Sequence, residues 1–345
     1  MRTILTSTIG SRVVRVLVAI VIAGILSSLL FWASGANPID AYAALFRGSF
    51  GTLYGFEETI TQTGILILMA VAVALPSRAQ LWNIGGEGQM FMGALAAAMV
   101  ALGVPGPPAL ITVLALVVAS VVGGLWAGLA GILKARWGAN EVLTTLMLNF
   151  IAILIVDYYI SEASITSGIP NATRFLPDGV ALPVVIPGTS INLTIVIALG
   201  AAVLAHLILS RTSFGLQTRA LGGNRNATVN MGAAVPRLQA GVMSVGGVFA
   251  GLAGAVIVIG VQGLLVRGFS PGFGFTGIAI AIMALGKPLW TIPSALLFAA
   301  LTVGGSYLEP AVGVSSSAAL VVQAMLLLSL LACWAFPPGR IGAGR

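Results

Sequence analysis

The polar residues able to bind a small solute lie in three short segments of an otherwise apolar chain. Asn83-Ile84-Gly85-Gly86-Glu87-Gly88-Gln89-Met90 sets two amides and one of only nine acids beside a glycine pair. Gly138-Ala139-Asn140-Glu141-Val142-Leu143-Thr144-Thr145-Leu146-Met147-Leu148-Asn149-Phe150 brings Glu141, Thr145, Leu148 and Asn149 near one helix face by the i, i+4 spacing. Gly272-Phe273-Gly274-Phe275-Thr276-Gly277-Ile278-Ala279-Ile280-Ala281 mixes glycines with aromatic rings. The interactions on offer are hydrogen bonds from side chains and freed helix-start amides to a hydroxyl or carbonyl, and ring stacking on a sugar or base. Asn83, Glu87, Gln89, Asn149, Phe275 and Thr276 are the candidates for a solute path or gate.

Each segment also has a plainer reading. Asn83 can cap a turn, and Asn140 with Glu141 is the pattern of an N-cap and a first-turn acid. The third segment can be tight helix packing by small residues. Asn149 resists this treatment, because an amide in the middle of an apolar run needs a partner in protein or water.

Catalytic chemistry is not encoded. No serine-centred hydrolase motif and no paired carboxylates occur inside the apolar runs. The nearest approach to a phosphate-binding loop, Gly286-Lys287, has Ala281 in place of the first glycine and Pro288 after the lysine. His206 has no carboxylate or cysteine cluster near it in sequence, so it reads as packed or interfacial. A single cysteine, Cys333, excludes an intramolecular disulfide. The chain is expected not to be an enzyme and to hold no metal or cofactor.

The elements that must position these residues are membrane helices. Hydrophobic residues make up 58% of the 345 and charged residues 7%, which leaves too little charge for a water-exposed surface. The net charge of +7 is spread between apolar runs and forms no patch with interleaved aromatics, so nucleic acid is not an expected partner. Apolar runs fall near 13–33, 59–76, 87–102, 109–133, 142–160, 193–209, 239–261, 274–286, 290–307 and 315–336. The expected fold is all-α, a single polytopic membrane domain over 1–345 with ten transmembrane helices. Nine remain possible, because the third, eighth and ninth runs are short or broken by glycine.

Charge placement supplies an orientation. With the N-terminus in the cytoplasm, Arg2, Arg12, Arg15, Arg78, Lys134, Arg136, Arg211, Arg219, Arg225, Arg237, Lys287, Arg340 and Arg345 fall inside, and Arg47, Arg174 and Arg267 outside. That bias predicts an even number of spans with both termini cytoplasmic. The run at 16–32 is longer than a usual signal-peptide core, so it is expected to be a retained helix. Two connections are long: an external one at 161–192, punctuated by Pro170, Pro177, Pro183 and Pro187, and a basic cytoplasmic one at 210–238. Within the second, a short helix ending at Gly222-Gly223 and a further turn beginning at Asn224 or Asn226 are expected. It is either a loop that fixes topology or a docking surface for a cytoplasmic partner.

The 83–90 segment, Ala139-Asn140-Glu141 with Thr144-Thr145-Leu146-Met147-Leu148-Asn149, and Gly274-Phe275-Thr276-Gly277-Ile278-Ala279 together resemble bacterial ABC-importer permeases for nucleosides and simple sugars. These are related more distantly to ribose and branched-chain amino-acid permeases. The resemblance runs in consistent order from about residue 50 to residue 335. It implies a multi-pass subunit of the bacterial cytoplasmic membrane, surrounded by lipid and paired with a second permease. It further implies cytoplasmic subunits that bind ATP and Mg, and a periplasmic or lipoprotein solute-binding protein. The matching ATPase-coupling loop carries Gly215, Arg219, Ala220, Gly222, Asn224, Asn226 and Ala227. It departs from the family pattern in having Gly223-Asn224-Arg225-Asn226, without an acid, after the turn. Nucleosides are the first expected substrate and simple sugars the second. An ion-coupled secondary transporter, with Glu87, Glu141 and His206 as its only available coupling groups, and a purely structural membrane protein remain the readings of other classes.

Overall fold

The computed structural model describes residues 2–335, and side chains from 18 to 333. Arg340 and Arg345, the end of the tenth run and the side chains of Arg2, Arg12 and Arg15 lie outside the described residues. The described chain is helical, with only two isolated β-bridges, Ala172 with Val266 and Val184 with Asn192. Helices α1 to α14 are, in order, Arg2–Ala33, Pro38–Phe50, Leu53–Ser77, Gly86–Gly103, Pro108–Trp137, Glu141–Ser167, Thr194–Arg211, Ser213–Gly223, Arg225–Asn230, Val235–Ala255, Phe273–Met283, Thr291–Gly305, Leu308–Val312 and Ala318–Ala335.

Six described helices are long and apolar enough to cross a membrane, and a seventh results if α1 and α2, bent by 107°, count as one span. The ten runs therefore divide into full-length helices and shorter pieces. Hydropathy registers an apolar run whether or not the helix is long enough to cross. Helix α11 has 11 residues, roughly 16 Å, about half of a bilayer core. The 161–192 connection also starts later than expected: α6 continues to Ser167 and stops where Gly168 takes a left-handed φ of +71°.

Contacts divide the chain into two compact units. The first, 1–59 with 297–345, packs Phe31, Ala41, Leu45, Leu308 and Val322 into one core. Asn37 caps α2 by accepting the Ile39 N–H at 3.0 Å.

The second unit, 60–296, holds every candidate site residue. Its centre is the trio α4, α5 and α10, drawn together by glycines that let backbones touch. A Cβ on Gly123 would lie 2.6 Å from the Gly251 Cα, and one on Gly251 would press into the Ala119 carbonyl oxygen. Gly251→Ala is therefore expected to cost about 1–3 kcal/mol by overpacking. A thermal scan of the purified protein should show a lower Tm, whereas Gly200→Ala, with nothing within 4 Å, should leave it unchanged.

Candidate functional site

Two helices in the second unit begin with glycine caps, and neither cap has a side chain to satisfy the free amides of its first turn. Gly85 caps α4 and Gly272, at φ +95°, caps α11. The α4 deficit is met from a neighbouring helix, and that of α11 from a neighbouring helix together with Ser270 just before it. Asn149 of α6 accepts the Gly88 N–H at 2.8 Å and donates to the Ile84 carbonyl at 2.9 Å. Glu87 of α4 accepts the Gly274 N–H at 2.5 Å, and Ser270 hydrogen-bonds the same carboxyl group. Ser270 also accepts the Gly272 and Phe273 N–H groups, each at 3.1 Å. Asn149 thus caps α4 in trans, and Glu87 caps α11 in trans.

Asn83 completes the junction. It exchanges two amide hydrogen bonds with Gln89, at 3.0 and 2.7 Å, and donates to the Ala72 carbonyl of α3 at 3.2 Å. It does not cap α4, contrary to the plainer reading of that residue. Close approach is needed here: a Cβ on Gly88 would sit 2.8 Å from the Asn149 Cα, and one on Gly274 would sit 2.8 Å from the Glu87 Cα. Asn83, Glu87, Gln89 and Asn149 are all buried. The structure gathers these four candidates into one node whose hydrogen-bonding groups face protein.

Phe275 and Thr276 stand beside the node on α11 without joining its hydrogen bonds. The Thr276 hydroxyl donates to the Gly272 carbonyl at 3.2 Å, and the Phe275 ring is 51% exposed. Asn140 and Glu141 follow their plainer reading. Asn140 accepts the Val142 N–H at 2.9 Å as N-cap of α6, and Glu141 pairs with Lys134 at 2.5 Å.

The 210–238 connection folds as two short helices. Thr212 caps α8 by accepting the Gly215 N–H at 3.0 Å. Asn224 ends α8 through its N–H to the Ala220 carbonyl at 2.8 Å, and starts α9 by accepting the Ala227 N–H at 3.1 Å. Gly215 packs into the α7 backbone at Leu209, and Gly222 packs on the Arg78 carbonyl. Arg219, Asn226 and Ala227 are exposed, and Ala220 is half-buried. Helix α8 therefore rests on the turn that leads from α3 through Arg78 to Asn83.

Two polar groups escaped the sequence reading. Helix α10 passes into a π-helical turn, Val256–Gln262, at whose end the Gln262 Oε1 is buried without a hydrogen-bond partner. The Thr194 Oγ1 of α7 is likewise buried and unpartnered. A π turn inside an α-helix often marks a functional position. The available signal was one amide closing the apolar run 256–261.

A family model described as branched-chain amino acid transport system / permease component matches residues 55–331, which include the whole node and α8. The chain belongs to this family. The permease is 32% identical to the glucose ABC transporter permease protein of Haloferax volcanii, over 96% of this chain and 90% of the relative. It is 33% identical to the guanosine ABC transporter permease protein of Bacillus subtilis, over 92% and 93%. Against the nucleoside ABC transporter permease protein of Lactococcus lactis it is 30% identical, over 85% and 84%. No solved structure matches the permease. It is a multi-pass membrane protein with the role of an ABC-importer permease, and its family is one of transport permeases and not of enzymes.

Proposed function

We propose that the permease carries nucleosides inward across the bacterial cytoplasmic membrane, paired with a second permease. Two cytoplasmic subunits hydrolyse ATP with Mg, and a periplasmic or lipoprotein receptor delivers the solute. The observation that carries the substrate is the full-length similarity to relatives named for guanosine and for nucleosides. The relative named for glucose supports simple sugars as the second reading. No cofactor is assigned to this chain.

Orientation and depth follow in the same proposal. Lys134 with Glu141 marks the start of α6, and Asp157, in the second half of that helix, lies 3.7 Å from Arg267. This separation supports the inward placement of Arg78, Lys134, Arg219 and Lys287 under the positive-inside rule. Ten crossing segments with both termini inside remain the proposed topology, with α4 and α11 as partial spans. Asn149 is eight residues into α6, roughly 12 Å from its start. The node therefore sits at depth, where broken helices meet in many transporters.

In this reading, ATP-driven movement of α8 passes through Gly222 to the Arg78 turn and on to Asn83 and the two trans caps. Asn83, Glu87, Gln89 and Asn149 hold the gate, while Phe275 and Thr276 face the solute. Gly222→Leu should push α8 off the turn. Overpacking of about 1–3 kcal/mol placed on the coupling equilibrium corresponds to roughly a tenfold loss of uptake. ATP hydrolysis by the assembled complex should persist. Gly223→Ala, with open space at its Cβ, should be silent.

Proteoliposomes holding the complex and its receptor test the whole proposal. Labelled guanosine should accumulate only with internal ATP and should survive collapse of ion gradients. Preferential uptake of glucose or ribose would replace the substrate, and ATP-independent, gradient-driven uptake would replace the mechanism.

A further inference from the structure

At the end of the second unit where α3 and α11 finish, a cavity of about 350 Å³ opens between the last turns of α3 and α7, helix α8 and the 3-10 turn Pro288–Trp290. Arg78, Arg219 and Lys287 converge on it from three separate elements, with His206 beside them and no carboxylate in the lining. None of the three cations forms an ion pair or a side-chain hydrogen bond with another described residue. Three unpaired like charges around one hollow repel each other, an arrangement that an anion relieves. Gly286, at φ +63°, brings the chain against the Arg78 side chain, where a Cβ would be 3.2 Å from Cδ.

The rim decides which anion. Leu289 is 38% and Trp290 62% exposed. One turn back along α7 from the lining residues His206 and Ser210, Val203 and Leu207 are also exposed on a helix long and apolar enough to cross a membrane. A free phosphate has no use for such a surface. A phospholipid uses both parts, with its phosphate among the cations and its glycerol and first methylenes along Trp290 and α7.

We propose that this pocket is a binding site for the phosphate head group of an anionic phospholipid, wedged between α7 and the α8 helix that rests on Arg78. The lipid bridges Arg219 of α8 to Arg78 and Lys287 of the helices leading to the node.

Native mass spectrometry of the assembled transporter, supplied with phosphatidylglycerol in phosphatidylcholine nanodiscs before release, tests this. The wild type should retain phosphatidylglycerol. At roughly fivefold per cation, Arg78→Gln with Lys287→Gln should weaken retention about 25-fold. Arg78→Lys should keep it. Arg136→Gln, which removes an exposed cation outside the pocket, should have no effect. Equal retention by the double variant, or equal loss in Arg136→Gln, would overturn the proposal. Displacement by millimolar inorganic phosphate would make the occupant a free anion and overturn the lipid assignment. So would unchanged lipid with loss of the ATPase subunits, which would make the cations a protein-docking surface. Size-exclusion elution and the Arg78→Lys arm separate loss of lipid from loss of fold.

Discussion

Replacing Asn149 with alanine is expected to lower the apparent Tm of the purified permease by roughly 5 °C or more and to reduce ATP-driven uptake at least tenfold. The cause is the trans cap. With the amide gone, the Gly88 N–H and the Ile84 carbonyl lose their partners at 2.8 and 2.9 Å. Each unpaired buried group costs about 1–3 kcal/mol. Relaxation cannot readily repair the loss, because Gly88 packs against the Asn149 backbone and leaves little room for water. Asn149→Asp keeps an acceptor for Gly88 and gives up the donor to Ile84, so its Tm should fall between wild type and alanine. Unchanged Tm with lost uptake would instead mean that Asn149 touches the solute. Unchanged Tm and unchanged uptake would remove the trans cap from the mechanism.

The same residue shows how far the sequence could be read. A mid-run amide announces that it needs a partner, and Asn149 was legible for that reason. Which partner was not legible, because Gly88 is 61 positions away and Gly274 is 187 positions from Glu87. Local signals did better. Gly222-Gly223 and Asn224 mark the end of α8 and the start of α9 by capping chemistry that acts within four residues, and Asn140 marks the start of α6 in the same way. Hydropathy does not tell a full-length span from a shorter apolar helix, because an 11-residue helix such as α11, or one that starts at a buried glycine junction such as α4, scores like part of a longer one. The π turn ending at Gln262 has little sequence signature beyond that closing amide, since it inserts a residue's worth of register into an apolar run.

The second large effect concerns the acid that stands out in so apolar a chain. Helices α4 and α11 start at the same junction and leave it toward opposite ends. Along α10, Gly246 packs on Ala72 and Pro76 of α3, whereas Gly254, two turns later, packs on Met90 and Ala94 of α4. Gly286, just past α11, packs on Ser77 of α3. Two helix N-termini therefore converge, each carrying about half a positive charge. Both caps are glycine and bring no side-chain acceptor; Ser270 takes the Phe273 N–H of α11 but leaves that of Gly274 to another helix. Glu87 lies in the first turn of α4 and bonds the Gly274 N–H of α11, so one side chain serves both ends. Glu87→Ala removes the acceptor and the carboxylate together, at about 1–3 kcal/mol for the orphaned amide and up to about 2 kcal/mol for the opposed dipoles. Expected results are a Tm drop at least as large as that of Asn149→Ala and loss of nearly all uptake. Glu87→Gln retains a carbonyl oxygen for Gly274 and should fall midway in both measurements, which separates hydrogen bonding from charge. If the glutamine variant matches alanine, the carboxylate charge holds the two helices together; if alanine matches wild type, α11 is held by Ser270 and by packing at Gly274 and Gly277, and the acid has no part in joining α4 to α11.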